Sequence, residues 1–504
     1  MAALLARHAI NRPEHVFIES IEAQRSITYA QFKGVTDRLA VYLRKAGFKP
    51  GDRALLLAGN GIEHLFVFLG VQRYGATACV VNLEANLAYL GDILEALKPR
   101  LVLYEDPAVA QQFASYPCRW VALGHWEPDS PTGFFAELAG LAEHEAPEPV
   151  NQPRDDAYVS YTSGTSSKPK GVIHRYEDLF CNMDGLATRL GVTPSDRILE
   201  FRSLNWLSSQ CVVLAAFARG ATIVLGRKFS VTSYPDWIKE RKVTIAVGVP
   251  AVVAMLLSRP IDMTAADVPH LRFVTSSSAP LALDHWRAFE EHYRIPIASG
   301  YGCTEASGFI CSSDEKTRRI GSAGLPIDCQ NVSIIRADGS VAAPGEIGEV
   351  EIGGGPDREY RYLDYDGTPK VIARGRFRTG DVGYLDKDGY LFLTGRVKDL
   401  IIRGGVNIAP AEIEGVLLQA SSEIQEAVAV GVPDPIYGEE VVGYVVIKAG
   451  TKLDLSGILG RCAERLPAFK QPKEVIALEA LPRNANGKIL RSELVEDWKR
   501  RHGQ

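Results

Sequence analysis

No two cysteines in this chain form a CxxC pair, although there are eight of them: Cys79, Cys118, Cys181, Cys211, Cys303, Cys311, Cys329 and Cys462. Thiols scattered in this way through apolar or mixed surroundings argue against a disulfide frame or a zinc site, and for buried thiols in a reducing compartment. No apolar run approaches ~18 residues, so a transmembrane segment is not expected. The apolar start "MAALLARHAI" is interrupted by Arg7 and His8 too early for the core of a secretory signal. A soluble, cytoplasmic protein is expected. Neither sign of charge dominates: 56 Lys and Arg against 61 Asp and Glu leave a net charge of −5, without the basic footprint of a nucleic-acid partner. Any polyanion must therefore be held locally. Internal repeats, low-complexity tracts and HExxH arrays are also missing. His174 and His292 have no ligand-spaced partner, so a catalytic metal cluster is not expected.

What is present is ordinary for a globular protein, with 46% hydrophobic and 23% charged residues, 46 Gly and 28 Pro. A chain of 504 residues exceeds one core, since single cores stop growing near ~250–300 residues. Two domains or more are expected. Helical periodicity around Leu39, Leu43 and Ala46 alternates with apolar runs such as Ala54 to Leu57, and Gly-Asp and Gly-Asn pairs mark the changes. That rhythm returns at "DRILEFRSL", "GATIVLG", "VTIAVGVP" and "LRFVTSSSAP", and it predicts a large α/β domain to about residue 320. Short strands with tight turns follow in "VSIIRADGS", "GEIGEVEIGG" and "FRTGDVGYLDKDGYLFLTGR", read as a β-rich subdomain of the first domain. From Arg396 onward the pattern becomes a small α+β domain, with helices after "NIAPAEIEGVLLQ" and "DLSGILGRCAERL" and strands "IQEAVAVGV" and "EEVVGYVVIK". The expected boundaries are 1–395 and 396–504, with the charged, glycine-flanked "LTGRVKDLIIRGG" as a hinge.

The densest chemistry lies in "YTSGTSSKPKGVIH" from Tyr161. Small hydroxylated residues around Gly164 can aim backbone N–H and side-chain O–H groups at one anion. A Walker loop needs GxxxxGK[ST], and Pro169-Lys170 stand where its final Gly and Lys belong. Pro169 also argues against a helix starting within the run, so an irregular loop between a strand and a later helix fits.

This run resembles the Thr/Ser/Gly-rich phosphate loop of the adenylate-forming superfamily of acyl-CoA synthetases, adenylation domains and luciferases. Further family motifs follow in order: "SSSAP" from Ser276, "GYGCTEASG" from Gly300, "RTGDVGYLDKDGYLFLTGRVKDLIIRGGVNIAPAEIE" from Arg378, and "LPRNANGKILR" from Leu481. Together they cover nearly the whole chain. The resemblance implies that a carboxylate attacks the α-phosphate of ATP, giving an acyl-adenylate and pyrophosphate, and that a thiol then displaces AMP. Such a site needs preorganised donors and cations more than a base, because the carboxylate is already a nucleophile.

By the resemblance, Thr162, Ser163, Gly164, Thr165 and Lys170 wrap the β- and γ-phosphates. Ser166-Ser167 replace the usual Thr-Gly, which removes a glycine where φ > 0 is tolerated. Ser278 and Ala279 border the nucleotide, Tyr301 and Gly302 lie against adenine, Thr304 touches the α-phosphate, and Glu305 holds Mg2+ as a hard carboxylate ligand. Asp381 grips both ribose hydroxyls with Arg396 as its helper, and Lys488 is the catalytic lysine that bridges carboxylate and α-phosphate. Lys398 is the hinge, and Gly404 and Gly405 let backbone pass close to the thiol's pantetheine arm. Cys303 has no His neighbour, which argues against a thiol nucleophile.

The expected acyl pocket comprises Asn205, Trp206, Ser209, Val249, Val253, the Ser276 to Ser278 run, Gly300 and Ala306, with Ser307 and Gly308 beside them. Asn205-Trp206 replace a His common in relatives, and Trp206 is equally readable as core. The pocket shows no evident Arg or Lys, so a monocarboxylic acid is expected rather than a dicarboxylate. The implied activity is an ATP-dependent, Mg2+-assisted carboxylic acid ligase with coenzyme A as co-substrate. Transfer to the phosphopantetheine of an acyl carrier protein is the alternative, and Arg403 is the one basic residue near the thiol face that favours CoA. A regulator without turnover is opposed by the presence of Lys488, Glu305, Asp381 and Gly405, and no feature asks for a luciferase-like oxygenation. Whether the chain acts as a monomer or a homodimer is left open.

Overall fold

The computed structural model describes residues 1–82, 87–161, 170–448, 450–451, 454–483 and 489–503. Its contacts divide the chain into two units: residues 1–331 with 352–377, and residues 332–351 with 378–504. The strands at 332–351 and 378–396, grouped by sequence with the first domain, pack within the second unit.

The first unit holds two large sheets. In the nine-stranded one, strands Val16–Ser20, Thr222–Leu225, Arg197–Glu200, Ile245–Ala246, Phe273–Ser276 and Ile297–Cys303 lie side by side in parallel. Their sequences are apolar nearly throughout, as expected of parallel strands covered on both faces. Antiparallel strands flank this core: Arg25–Thr28 beside Val16–Ser20, and Gly308–Ser312 beside Ile297–Cys303. The eight-stranded sheet repeats the plan, with parallel strands Arg119–Ala122, Leu101–Tyr104, Arg53–Leu57, Thr77–Val80 and Asp156–Tyr161. It turns antiparallel at Gly171–Arg175, Glu359–Leu363 and Pro369–Arg374. In open parallel sheets ligands bind beyond the carboxyl ends of the strands, and the loops with most of the expected chemistry leave those ends.

Helix Tyr29–Lys45 shows how local sequence sets these elements. Thr28 and Gln31 form a reciprocal capping box at its start, and Phe32, Val35, Leu39 and Leu43 form a buried stripe at helical spacing. Phe32 stacks on Phe66 at 5.0 Å and meets Phe17 edge-on at 4.9 Å. Burial of each such ring contributes about 2–3 kcal/mol.

In the second unit, strands Asn331–Ile335, Gly348–Gly353, Arg376–Leu385 and Leu391–Arg396 form one sheet. Strands Ile401–Arg403, Val406–Ile408, Ile424–Asp434, Gly438–Ile447 and Glu474–Leu478 form another, with helices Pro410–Ala420, Leu455–Arg465 and Arg491–Arg501. Val441 and Val445 pack in one core with Ile413 and Leu417; Val442 and Tyr444 pack in another with Leu494 and Trp498. The period of two along one strand thus feeds two cores. This is the α/β plus small α+β class expected from sequence.

The cysteines depart in part from the buried pattern expected. Cys79, Cys211, Cys311 and Cys462 are buried, but Cys181 is exposed, and the influence of the half-buried Cys329 thiol lowers its pKa. The two are 148 residues apart in sequence, so spacing gave no sign of this influence. Among the described residues no helix is long and apolar enough to cross a membrane.

Candidate functional site

The site of the first unit is built where strand Ile297–Cys303 ends. A tight turn, Thr304–Ala306, reverses the chain into strand Gly308–Ser312. A side chain at Gly302 would sit 2.2 Å from the Gly308 carbonyl oxygen, and Gly308 itself has φ +130°, so both positions require glycine. Ser307 adopts left-handed φ +61°, and Asn182 holds Phe309 on the far side, donating to its carbonyl and accepting from its N–H. Arg358 and Gln330 both donate to the Ala306 carbonyl, at 2.9 and 3.1 Å. The turn is therefore fixed from three directions.

Glu305 lies in this turn, half-buried, and its Oε1 accepts a 2.6 Å hydrogen bond from the Tyr362 hydroxyl. Tyr362 lies opposite Val172 in the pairing of strands Glu359–Leu363 and Gly171–Arg175. That register brings the start of the second strand close, and Lys170 Nζ stands 5.3 Å from the centroid of the Tyr362 ring. Burial, and then the Glu305 charge and hydrogen bond, raise the Tyr362 phenol above its ordinary range, so it stays a proton donor. One aromatic side chain thus touches both an expected metal ligand and an expected phosphate cation. Tyr362 and Arg358 were not found by sequence reasoning, because only the strand pairing brings them to the turn.

His174 also gains a place. It is fully buried, its Nε2 lies 2.8 Å from Ser160 Oγ, and its Nδ1 lies 3.1 Å from Ser307 Oγ. It joins the strand that precedes the "TSGTSSKP" run to the turn that carries Glu305. Burial, aided by the charges of Arg361 and Arg358, lowers its pKa to about 3. His64, likewise buried between the Gly59 carbonyl and Gln210, is lowered to about 4 by burial. Both stay neutral in the folded chain while their unfolded forms protonate below about 6.5. Their contribution is full above that pH and is lost as pH falls toward 4 and 3, because the unfolded state then binds more protons. Inside that window each is expected to cost roughly 1 kcal/mol of stability per pH unit. Urea unfolding at pH 7.5, 6.5 and 5.5 checks this: His174→Gln should lose roughly 1 kcal/mol less than the parent over the last step. Equal losses would remove His174 from the account.

The other expected residues are placed as follows. Tyr301 is buried and pairs across the strands with Cys311; Thr304 is half-buried. Ser278, with φ +72°, and Ala279 are exposed just beyond strand Phe273–Ser276. Ser276 is buried with no partner for its Oγ among the described residues. Asn205 donates to the Ala58 carbonyl, Trp206 and Val249 precede helices, and Val253 is core. A small cavity, with room for about one water, lies among Arg202, Val212, Ser277, Ser299, Gly300 and Phe309. Ser277 and Gly300 are expected pocket residues that line it. The reading that the region has no evident Arg is corrected here: Arg202 reaches the cavity, paired with the fully buried Glu200.

In the second unit, Asp381 and Arg396 face each other on paired strands with Oδ1 and Nε 2.8 Å apart, and Asp381 is 6% exposed. Lys398, in a short turn Val397–Asp399, and Gly404 and Gly405, in left-handed conformations, are exposed. Arg403 is bound at both ends of its guanidinium by the Glu440 carboxylate, at 2.5 and 3.0 Å, and stands 4.2 Å from the Tyr437 ring centroid. It is a paired cation, which weakens it as a pointer to CoA. Thr162, Ser163, Gly164, Thr165 and Lys488 lie outside the described residues.

Comparison with known proteins identifies the family. The model of the AMP-binding enzyme family matches residues 5–356, and that of the AMP-binding enzyme C-terminal domain matches residues 412–488. The chain is 32% identical to a sulfoacetate–CoA ligase of Cupriavidus necator, over 98% of this chain and 97% of that protein. It is 33% identical to an oxalate–CoA ligase of Arabidopsis thaliana, over 94% and 93%. The ATP-bound crystal structure of MatB from Rhodopseudomonas palustris superposes with a TM-score of 0.87 at 27% identity, covering 99% of both chains. The chain belongs to the AMP-binding enzyme family. It is an AMP-forming acid–thiol ligase of the adenylate-forming superfamily.

Proposed function

We propose that the chain activates a small carboxylic acid with ATP and transfers the acyl group to coenzyme A. The observation that carries this reading is the convergence of Glu305 and Lys170 on Tyr362, in a chain similar along its length to CoA ligases. In the first half-reaction an oxygen of the acid bonds to the α-phosphorus of ATP and the bond to pyrophosphate breaks. In the second the CoA sulfur bonds to the acyl carbon and AMP leaves. Lys170 and the Thr162–Thr165 run bind the departing phosphates, Thr304 orients the α-phosphate, and Lys488 supplies positive charge between acid and phosphate. Ser278, Ala279, Tyr301 and Gly302 border the base, and Asp381 with Arg396 holds the ribose. Lys398 is the hinge at which the small domain exchanges the Lys488 face for the Gly404-Gly405 face between half-reactions.

The residues fit Mg2+. Oε1 of Glu305 is fixed by Tyr362, and Oε2 takes no hydrogen bond from the described residues, which leaves a hard, oriented oxygen donor. Phosphate oxygens and water would complete the donor set of such an ion. When bound, the ion supplies charge neutralisation on the phosphates.

The test is pyrophosphate release across short, medium, long and aromatic acids, with and without CoA. Release by one class of acid, accelerated by CoA with acyl-CoA appearing, is the expected result. Release that CoA leaves unchanged assigns the acceptor to a carrier protein, and no release from any acid overturns the reading.

A further inference from the structure

The cavity beside Gly300 is lined by Arg202, one half of a charged pair that the adenylation chemistry does not use. Arg202 follows strand Arg197–Glu200 and is held in place by its surroundings. Its carbonyl accepts from Asn60 Nδ2 at 2.8 Å, its own N–H donates to Glu200, and Asn60 Oδ1 accepts from the neighbouring Leu204 N–H. Its Nε and Nη2 donate to the two oxygens of Glu200, at 3.0 and 2.6 Å, and Nη2 also faces the Ser208 carbonyl at 3.4 Å. Nη1 makes one long bond, 3.3 Å to Ser277 Oγ, and its second N–H has no partner among the described residues. That end of the guanidinium and Ser277 line the cavity together with Ser299 and Gly300, while Val212 and Phe309 close it with apolar surface.

A buried arginine is expensive to maintain unless it recognises something or is structurally required, and here its charge is already cancelled by a carboxylate that is wholly buried. The cavity therefore carries no net charge. A second carboxylate or a sulfonate on the substrate would add a buried negative charge left uncompensated by Arg202, whose charge Glu200 already cancels, and displacing Glu200 would leave its carboxylate unpaired in the interior. A neutral oxygen meets neither obstacle. It can accept from the uncommitted Nη1 N–H, and Ser277 can turn its hydroxyl toward it as donor or acceptor. The cavity has room for one such group, not for an acyl chain.

We propose that Arg202 and Ser277 form a subsite for a neutral oxygen on the substrate acid, a hydroxyl, keto, ether or amide oxygen, with Glu200 fixing the guanidinium and excluding a second anion. The inference rests on the ligase reading and names the class of acid at the same site. A site built to hydrogen-bond a substrate group rejects the analogue that lacks it far more strongly than an apolar pocket rejects an extra methylene.

The test uses the full chain with ATP, Mg2+ and CoA, and sets of acids of matched length that carry at the distal carbon a methylene, a hydroxyl or keto group, or a second carboxylate or sulfonate. The neutral polar acid is expected to exceed both others by at least about tenfold in kcat/KM. Ser277→Ala should reduce that ratio several-fold. The double substitution Glu200→Gln with Arg202→Met, which leaves no lone buried charge, should bring the ratio between polar and apolar acids toward one. Formation of acyl-CoA from all three acids at similar kcat/KM overturns the subsite while leaving the ligase reading intact, as does a preference for the dianionic acid. Absence of acyl-CoA from every acid overturns the ligase reading and this inference with it.

Discussion

Replacement of Lys488 by Ala is expected to lower acyl-adenylate formation by about a hundred- to a thousandfold, while thiolation of a supplied acyl-adenylate changes by no more than about threefold. The asymmetry follows from where charge develops. Adenylation brings a carboxylate against a phosphate chain, and an ammonium at that point stabilises charge that exists only as the new bond forms. Thiolation displaces AMP from an acyl group already activated as a mixed anhydride, its carboxylate charge gone, and the same ammonium has nothing comparable to do. Pyrophosphate release reports the first half-reaction, and acyl-CoA appearance from synthetic adenylate reports the second. Equal loss in both would mean that the substitution damages the fold or that the lysine serves the thiol step.

The architecture was legible because its signals are local. Apolar runs such as Ala54 to Leu57 and "LRFVTSSSAP" need only a few residues to declare a buried strand, whereas the helices expected after "NIAPAEIEGVLLQ" and "DLSGILGRCAERL" lie within those runs, at 410–420 and 455–465. The backbone reasons behind the site were not legible: Gly302 and the Asp381–Arg396 pair entered through the resemblance, whereas the approach of the Gly308 carbonyl to Gly302 and the pairing of the "RTGDVG" and "LTGR" strands are seen only in the structure.

The side chains that hold the site were not legible, because their contacts span the chain. Tyr362 reaches Glu305 across 57 positions, Arg358 reaches Ala306 across 52, and His174 reaches Ser307 across 133. A tyrosine in "REYRYLDY" is as good a strand residue as any, so nothing local marks it. Arg202 was missed for a different reason. It sits near the end of "DRILEFRSL", read as an apolar strand run, and only burial of Glu200 beside it shows that a charge can be retained there.

Glu305→Gln is expected to lower kcat/KM for ATP by about a hundred- to a thousandfold and to raise the Mg2+ concentration giving half-maximal rate. Gln can still accept from the Tyr362 hydroxyl through its amide oxygen, so the turn keeps that anchor and the loss reports on charge. Tyr362→Phe removes one hydrogen bond to a charged group, worth about 1.5–3 kcal/mol where fully expressed, and is expected to raise the half-maximal Mg2+ concentration by about tenfold. The two effects should not add. Tyr362 orients the carboxylate, so once the charge is gone its hydroxyl has less to orient, and Tyr362→Phe in the Glu305→Gln background should cost at most about threefold. Titrations of Mg2+ against pyrophosphate release for the four members of this cycle decide the matter. Full additivity would show that Tyr362 acts independently of Glu305, through Lys170 alone or through the packing of its strand.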